Sequence, residues 1–431
     1  MTRTLPRPLA LLALASCAAA VLAQAPPSSP PDPWAPGAQY REYHWVTPDT
    51  GEAFLRVGGR YGYVNTPGRF GPELRDGDEL ILPGEVELQR AVAATVTLEK
   101  VLSHEDTRDL RIRVNGHAPI PVPEPPTVPA PQTDYMYHTD VEVAVPLEQL
   151  RQGTGNRFSL SVDTAQRWGW PQNAFYAVTF RVYYAADRRA GPEVDYPFEQ
   201  VPLMSTLRLK GASPQDSVVD YVFVGRDVDW SGRGTLSRKH FQTYRAEPHH
   251  TLGRSRDASS AFAKTWDATW LPEQPAGQTI GVQARVMDWT GLWRVGPVRE
   301  GLTLAPRAQP VHLLESGPAP ANWVTRADTF SQTFEQPLPV EDIGAYKLHW
   351  TSWSPCYANG LYLNDHLIWM RDGDCYVYDT HEPVFAEAHD LHAIEAGTNV
   401  IRTGKTPLVH GGMVHGMEVQ WPGIAVKVRE R

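Results

Sequence analysis

Apolar and polar residues alternate in short runs along most of this chain. In Leu110-Arg111-Ile112-Arg113-Val114 the apolar residues point one way and the two arginines the other, the period-two pattern of a half-buried strand. Ala94–Leu98, Val141–Val145, Phe175–Val182, Thr206–Leu209, Val218–Val224, Ile280–Val286, Lys347–Trp350, Leu361–Leu363 and Ile424–Val428 read the same way. Glu79–Leu82 is a short strand stopped by Pro83-Gly84. Asn115-Gly116 follows a strand directly and predicts a hairpin turn, because both residues tolerate positive φ. Pro119–Pro131 holds seven prolines and is excluded as a central strand. Leu147–Leu150 predicts a single helical turn. The pattern predicts an all-β chain.

The pattern also repeats. Tyr376–His381, then Gly397-Thr398-Asn399, then a closing strand near Ile424–Val428, form a series of landmarks. A weaker copy lies about 240 residues upstream: Tyr135–Asp140, Gly153-Thr154-Gly155-Asn156 and Phe175–Val182. A short turn precedes each copy, Val114-Asn115-Gly116-His117 in one and Leu363-Asn364-Asp365-His366 in the other. Landmarks in a common order predict two related β-domains with something different between them. The boundaries fall at 40–185 and 310–431, with a connector over 186–203 and a middle unit over 204–305.

Composition narrows the partners. A chain of 431 residues exceeds one core. The net charge of −9 argues against nucleic acid. Fourteen Trp and seventeen Tyr suit sandwich cores and also flat platforms for sugar rings. Arg3 and Arg7 precede an apolar run, Leu9–Ala23, too short to span a membrane and ending in a small-residue site; residues 1–23 read as a secretory signal peptide. Leu14-Ala15-Ser16-Cys17 also resembles the lipobox of bacterial lipoproteins, so a lipid on Cys17 is the one membrane attachment considered, while Ala18–Ala23 staying apolar favours cleavage after Ala23. The expected location is secreted or periplasmic. Residues 24–39 are Pro/Ser-rich and read as an extended linker. In an oxidising compartment Cys356 and Cys375 are expected to form a disulfide; a metal thiolate pair is the alternative.

Within the middle unit Ala284-Arg285-Val286-Met287-Asp288-Trp289-Thr290-Gly291 resembles the Ala-x-Val-x-Asp-x-x-Gly stretch of bacterial immunoglobulin-like and fibronectin type III-like modules. That resemblance implies a spacer sandwich. The flanking units, with a strand into an Asn-Gly or Asn-Asp turn, a later Gly-x-Asn and a closing strand, look like galactose-binding-like jelly rolls. The expected architecture is two related jelly-roll β-sandwiches separated by an Ig-like β-sandwich. Many unrelated activities sit on such sandwiches.

Candidate chemistry concentrates in the third unit. Asn364, His366, Trp369, Asp372, Asp374, Tyr378, Asp379 and His381 fall close together, and His410, His415, Glu418 and Trp421 follow. Rings, carboxylates and imidazoles on one rim suit a carbohydrate, with rings on its C–H face and polar groups on its hydroxyls. The alternative is core packing and solvated loops. Asp372, Asp374, Asp379, Glu382 and Glu418 are candidates for acid/base work on a glycosidic bond. No Gly-x-Ser-x-Gly, His-Glu-x-x-His, phosphate loop or dinucleotide fingerprint is present. His410–Met417 mixes imidazoles with thioethers and raises copper, and Asp227–Gly232 imitates a calcium loop whose twelfth position is Arg238 rather than Glu. No cofactor is expected. The leading expectation is an exported carbohydrate-binding or glycan-associated envelope protein without catalysis. A polysaccharide-active hydrolase or lyase and a structural envelope protein are the alternatives.

Overall fold

The computed structural model describes residues 30–46, 55–57, 79–99, 101–104, 109–123, 135–138, 140–161, 173–186, 191–228, 238–239, 242–314, 331–353, 360–370, 378–410, 413–416, 418–419 and 424–431. The chain is all-β, with one four-residue α-helix, Ala388–Leu391, among the described residues. None of its described helices is long and apolar enough to cross a membrane. Residues 1–23, expected to be a signal peptide, with Cys17, the pair Cys356 and Cys375 expected to form a disulfide, and Asp372, Asp374 and Trp421 lie outside the described residues.

The N-terminal unit contains β1 (Gln39–Val46), β2 (Glu79–Ile81), β3 (Ala91–Glu99), β4 (Arg111–Val114), β5 (Ile120–Pro121), β6 (Val141–Ala144), β7 (Arg157–Ser161) and β8 (Ala177–Tyr184). They form two sheets, β1-β8-β3-β6 and β2-β7-β4-β5. Val96, Leu98 and Phe180 from the first sheet meet Ile112, Val114 and Phe158 from the second in one apolar core. Arg111 and Arg113 point outward, as their alternation requires. The middle unit carries β9 (Met204–Lys210), β10 (Asp216–Gly225), β11 (Ile280–Asp288) and β12 (Leu292–Leu304). Asp288 locks the β11–β12 turn: its Oδ1 accepts from the Thr290 N–H at 2.8 Å, the Thr290 hydroxyl at 2.6 Å and the Leu292 N–H at 3.2 Å. Gly291 supplies the positive φ the turn needs.

The C-terminal unit contains β13 (Val311–Leu314), β14 (Ser331–Gln336), β15 (Ile343–Trp353), β16 (Leu361–Leu363), β17 (His366–Trp369), β18 (Tyr378–His381), β19 (Val384–Phe385), β20 (Gly397–Thr403), β21 (Lys405–His410), β22 (Met413–Gly416), β23 (Glu418–Val419) and β24 (Ala425–Glu430). Its sheets run β13-β24-β15, with β18 and β19 on β15, and β14-β20-β16-β17. Strand for strand this is the order of the N-terminal unit. The repeat read from the sequence is therefore a repeat of topology.

One polar motif explains why the repeat was visible. Asn115 and Asn364 open their turns with φ of 47° and 46°. Asn364 Nδ2 donates to Asn399 Oδ1 at 2.7 Å and to the Ala393 carbonyl at 2.9 Å, and Asn364 Oδ1 accepts from the Val400 N–H at 2.8 Å. Asn399 accepts from the Glu395 N–H and donates to the Glu395 and Gly397 carbonyls. The N-terminal unit builds the same clasp: Asn115 Nδ2 donates to Asn156 Oδ1 at 2.9 Å and to the Gln149 carbonyl at 2.8 Å, and the Arg157 N–H donates back to Asn115 Oδ1. Asn156 and Asn399 are fully buried. Each clasp ties the turn of one strand to the start of its neighbour and satisfies backbone groups that the loop leaves over.

The middle unit is not a bead on a string. β1 pairs with β12 through Gln39↔Arg294, Tyr40↔Trp293 and Arg41↔Leu292, so one sheet runs through both units. Trp34, Tyr40, Tyr183, Val218, Val222, Trp293 and Val295 form an apolar cluster on that seam. The second half of the expected linker is part of it. Trp34 is buried, its carbonyl accepts from Gln283 Nε2, and the Arg285 guanidinium lies 4.7 Å from its ring centroid. The connector after the N-terminal unit also presses on β12: a Cβ on Gly296 would sit 1.6 Å from the Pro192 carbonyl oxygen.

Beside this cluster lies a buried charge lattice. Arg285 Nε donates to Asp220 Oδ2 at 2.9 Å and its Nη1 to the Tyr40 hydroxyl at 2.8 Å. Arg254 Nε donates to Asp220 Oδ1 at 2.6 Å, and Arg181 Nε to Glu42 Oε1 at 2.8 Å. Burial alone would raise the Glu42 carboxyl, but Arg181 and Arg285 hold it down to about 2. Burial likewise opposes the Asp220 carboxylate, and Arg285 and Arg254 more than reverse it.

Candidate functional site

β15 is the longest strand of the C-terminal unit, and it organises the site. Its first half pairs with β24 and β19. Its far half pairs with β18 through Trp350↔His381, Ser352↔Asp379 and Trp353↔Tyr378, and on the other side with β23 through Ser352↔Val419 and Trp353↔Glu418. β16 begins at this same end, where Leu361 faces both Trp369 and Thr403. The Gly404 N–H donates to the Gly360 carbonyl there, and β21 starts at the next residue.

Three rings close this end of the sandwich. The Trp350 indole stacks on His381 at 4.5 Å and 22°. Trp369 arrives from the second sheet and stands edge-on to Trp350 at 5.2 Å and to His381 at 5.0 Å. Strand alternation puts Trp350 on the core face of β15, and the apolar neighbours Leu348 and Val426 extend that face. Ser352 Oγ and His381 Nε2 are 2.8 Å apart. That distance is the geometry of a base-activated hydroxyl. Both residues are buried, however, Ser352 at 0% exposure and His381 at 6%, so in this form the pair fixes the ring cluster. Next to it Met370 is 70% exposed and Leu367 47%.

The residues singled out in the sequence divide between two ends. Trp369, Tyr378, Asp379, His381 and Glu418 sit on strands at the far end of β15. His410 and His415 lie on the β21–β22 hairpin that leaves from that end, with His410 in register with Met413. Asn364 and His366 lie at the opposite end, on the turn between β16 and β17. Asn364 belongs to the asparagine clasp, which occupies both its side-chain polar atoms. Asp227 is also committed: its Oδ1 is 2.5 Å from Lys427 Nζ and accepts from the Val228 N–H. Among the described residues no group of three His, Cys, Asp or Glu is arranged to hold a metal ion.

Sequence reasoning missed Ser352, and it treated Glu382 only as a spare carboxylate. Alternation along Lys347-Leu348-His349-Trp350-Thr351-Ser352 held the signal. Lys347, His349 and Thr351 are polar on the face away from the core, yet His349 and Thr351 are buried, so something covers them. Glu382 is where Lys347 and His349 converge: Lys347 Nζ is 3.0 Å and His349 Nδ1 3.1 Å from its Oε1, and His250 Nδ1 of the middle unit is 3.3 Å from its Oε2. Burial would raise the Glu382 carboxyl, but His250, His349 and Lys347 hold it far below its usual range.

No family model and no curated protein matches this chain. Among solved structures, the secreted serine protease VesC from Vibrio cholerae aligns over 92% of this chain and 97% of its own, at 10% identity and a TM-score of 0.14. A likeness of that size carries no argument about fold or reaction.

Proposed function

We propose that this chain is an exported, non-catalytic glycan-binding protein of the cell envelope, and that it takes sugar at the far end of β15 in its C-terminal unit. In this reading the outer units are jelly-roll sandwiches of the galactose-binding-like kind around an Ig-like module, and residues 1–23 direct export. The observation that carries it is the grouping of Trp369, His381, Asp379 and Glu418 at one end of one sandwich, beside the exposed Met370. Aromatic edges offer a surface to sugar C–H groups, and carboxylates and imidazoles match its hydroxyls.

The test is a glycan array with the purified full chain, run beside Glu418→Ala, His415→Ala and His366→Ala. Binding lost in the first two variants and kept in the third supports the reading, because His366 lies at the opposite end. A folded wild type that binds nothing, or binding that survives both rim variants, overturns it.

A further inference from the structure

The middle unit meets the C-terminal unit on the outer face of the β24–β15 sheet. Lys427 Nζ donates to the Trp270 carbonyl at 3.0 Å and pairs with Asp227. The Arg429 guanidinium lies 4.8 Å from the Trp270 ring centroid. The Glu273 N–H donates to the Val311 carbonyl at 2.7 Å. His250 follows the Gln242–His249 hairpin, stands at φ 58°, and reaches Glu382. Under these contacts lies His349, 2% exposed although it points away from its own core.

We propose that this face is an acid-sensitive docking surface for the middle unit, with His349 as its proton-sensing residue. The inference is independent of what the far end of β15 binds. The charge around His349 decides the direction. Lys347 and Lys427 stand in register on β15 and β24, and Arg429 lies two residues on. The middle unit adds His250, His249, Glu247, Arg254 and Asp227, and Glu382 is the shared acceptor. With His349 neutral, its Nδ1 stands 3.1 Å from Glu382 Oε1 and the lysines are balanced by Glu382 and Asp227. A proton on His349 adds a buried cation beside two ammonium groups.

Burial, helped by Lys427 and Lys347 and opposed by Glu382, holds the His349 imidazole down to about 4 from an ordinary 6.5. The docked state therefore prefers the neutral ring. Docking is at full strength above pH 6.5 and weakens as pH falls toward 4. By pH 4.5 it is roughly 80-fold weaker if the ring recovers its ordinary value on release.

The experiment is small-angle X-ray scattering of the full chain from pH 7.5 to 4, with hydrogen exchange followed in the Gln242–His249 hairpin. The wild type should expand, and the hairpin amides should exchange faster, between pH 6.5 and 4. His349→Gln should remove that pH dependence. Lys347→Gln, which takes away one neighbouring cation and keeps the sensor, should shift the midpoint to lower pH. A wild type that stays compact and protected down to pH 4 overturns the proposal. So does a folded His349→Gln that opens as the wild type does. If His349→Gln does not fold, a Lys347→Gln midpoint equal to the wild type's overturns it as well.

Discussion

The middle unit joins its two neighbours in opposite ways. Toward the N-terminal unit it shares a sheet, a cluster of Trp34, Tyr40, Tyr183 and Trp293, and a lattice built on the guanidinium groups of Arg181, Arg254 and Arg285. Toward the C-terminal unit it offers side chains: Asp227 to Lys427, Trp270 to Arg429 and His250 to Glu382. Guanidinium keeps its proton at any pH a protein meets, whereas imidazole does not. The first seam is therefore built as a permanent fusion and the second as a contact. The same repeated sandwich is used twice, once welded and once docked, and the difference lies in which residues face the middle unit rather than in the fold.

Breaking the welded seam should have the largest effect. Arg285→Met takes from Asp220 one of its two guanidinium partners, leaving Arg254, and from the Tyr40 hydroxyl its buried donor, and should cost about 3 kcal/mol. In urea the N-terminal and middle units should unfold together at a lower midpoint, with the C-terminal transition unmoved. Acid tests the same seam by another route. The Glu42 carboxyl is held at about 2 against an ordinary 4.5, so its contribution is present above pH 4.5 and is lost as pH falls through 2. That contribution is on the order of 3 kcal/mol. Thermal unfolding from pH 7 to 2 should show this seam failing well below the pH at which the docked one loosens.

The two asparagine clasps sharpen the comparison. Asn156→Ala and Asn399→Ala each strand several buried polar groups and should cost about 2–3 kcal/mol. Asn156→Ala should lower the joint transition of the first two units, and Asn399→Ala that of the C-terminal unit alone; a shared transition in both variants would show that the second seam is also welded. The smallest effect belongs to Lys427→Gln, which removes one charged bond to Asp227 and weakens one to the Trp270 carbonyl. It should cost about 1–2 kcal/mol and leave the first two units unchanged by calorimetry.

Much of the fold was legible because the repeat is written in residues with restricted conformations. Asn115-Gly116, Asn364-Asp365 and the two Gly-x-Asn stretches appear in the sequence because a positive-φ turn and a buried amide clasp tolerate little else. The seams were not legible. Arg285 and Glu42 look like solvent-facing residues of alternating strands, and only the neighbouring unit makes those faces interior. For the same reason the Trp34 segment resembled an open tether. At the far end of β15, local spacing gathered Trp369, Asp379 and His381, but it also drew in Asn364 and His366 from the other end of a two-strand hairpin. Proximity along the chain cannot tell one end of a strand from the other, and Ser352 was hidden because a serine in a strand carries no signature until its histidine is across from it.

The shared strand also sets a schedule for synthesis. β1 closes against β8 within its own unit, but its other edge waits for β12, about 250 residues later in the chain. When Tyr184 has emerged, the N-terminal unit holds all of its apolar core but Leu292, and an open edge with Tyr40 and Tyr183 uncovered. The next 110 or so residues take on the order of 10 s to make. For that interval the nascent chain carries a sticky, unpaired strand, which makes early folding the stage at which a chaperone has most to protect.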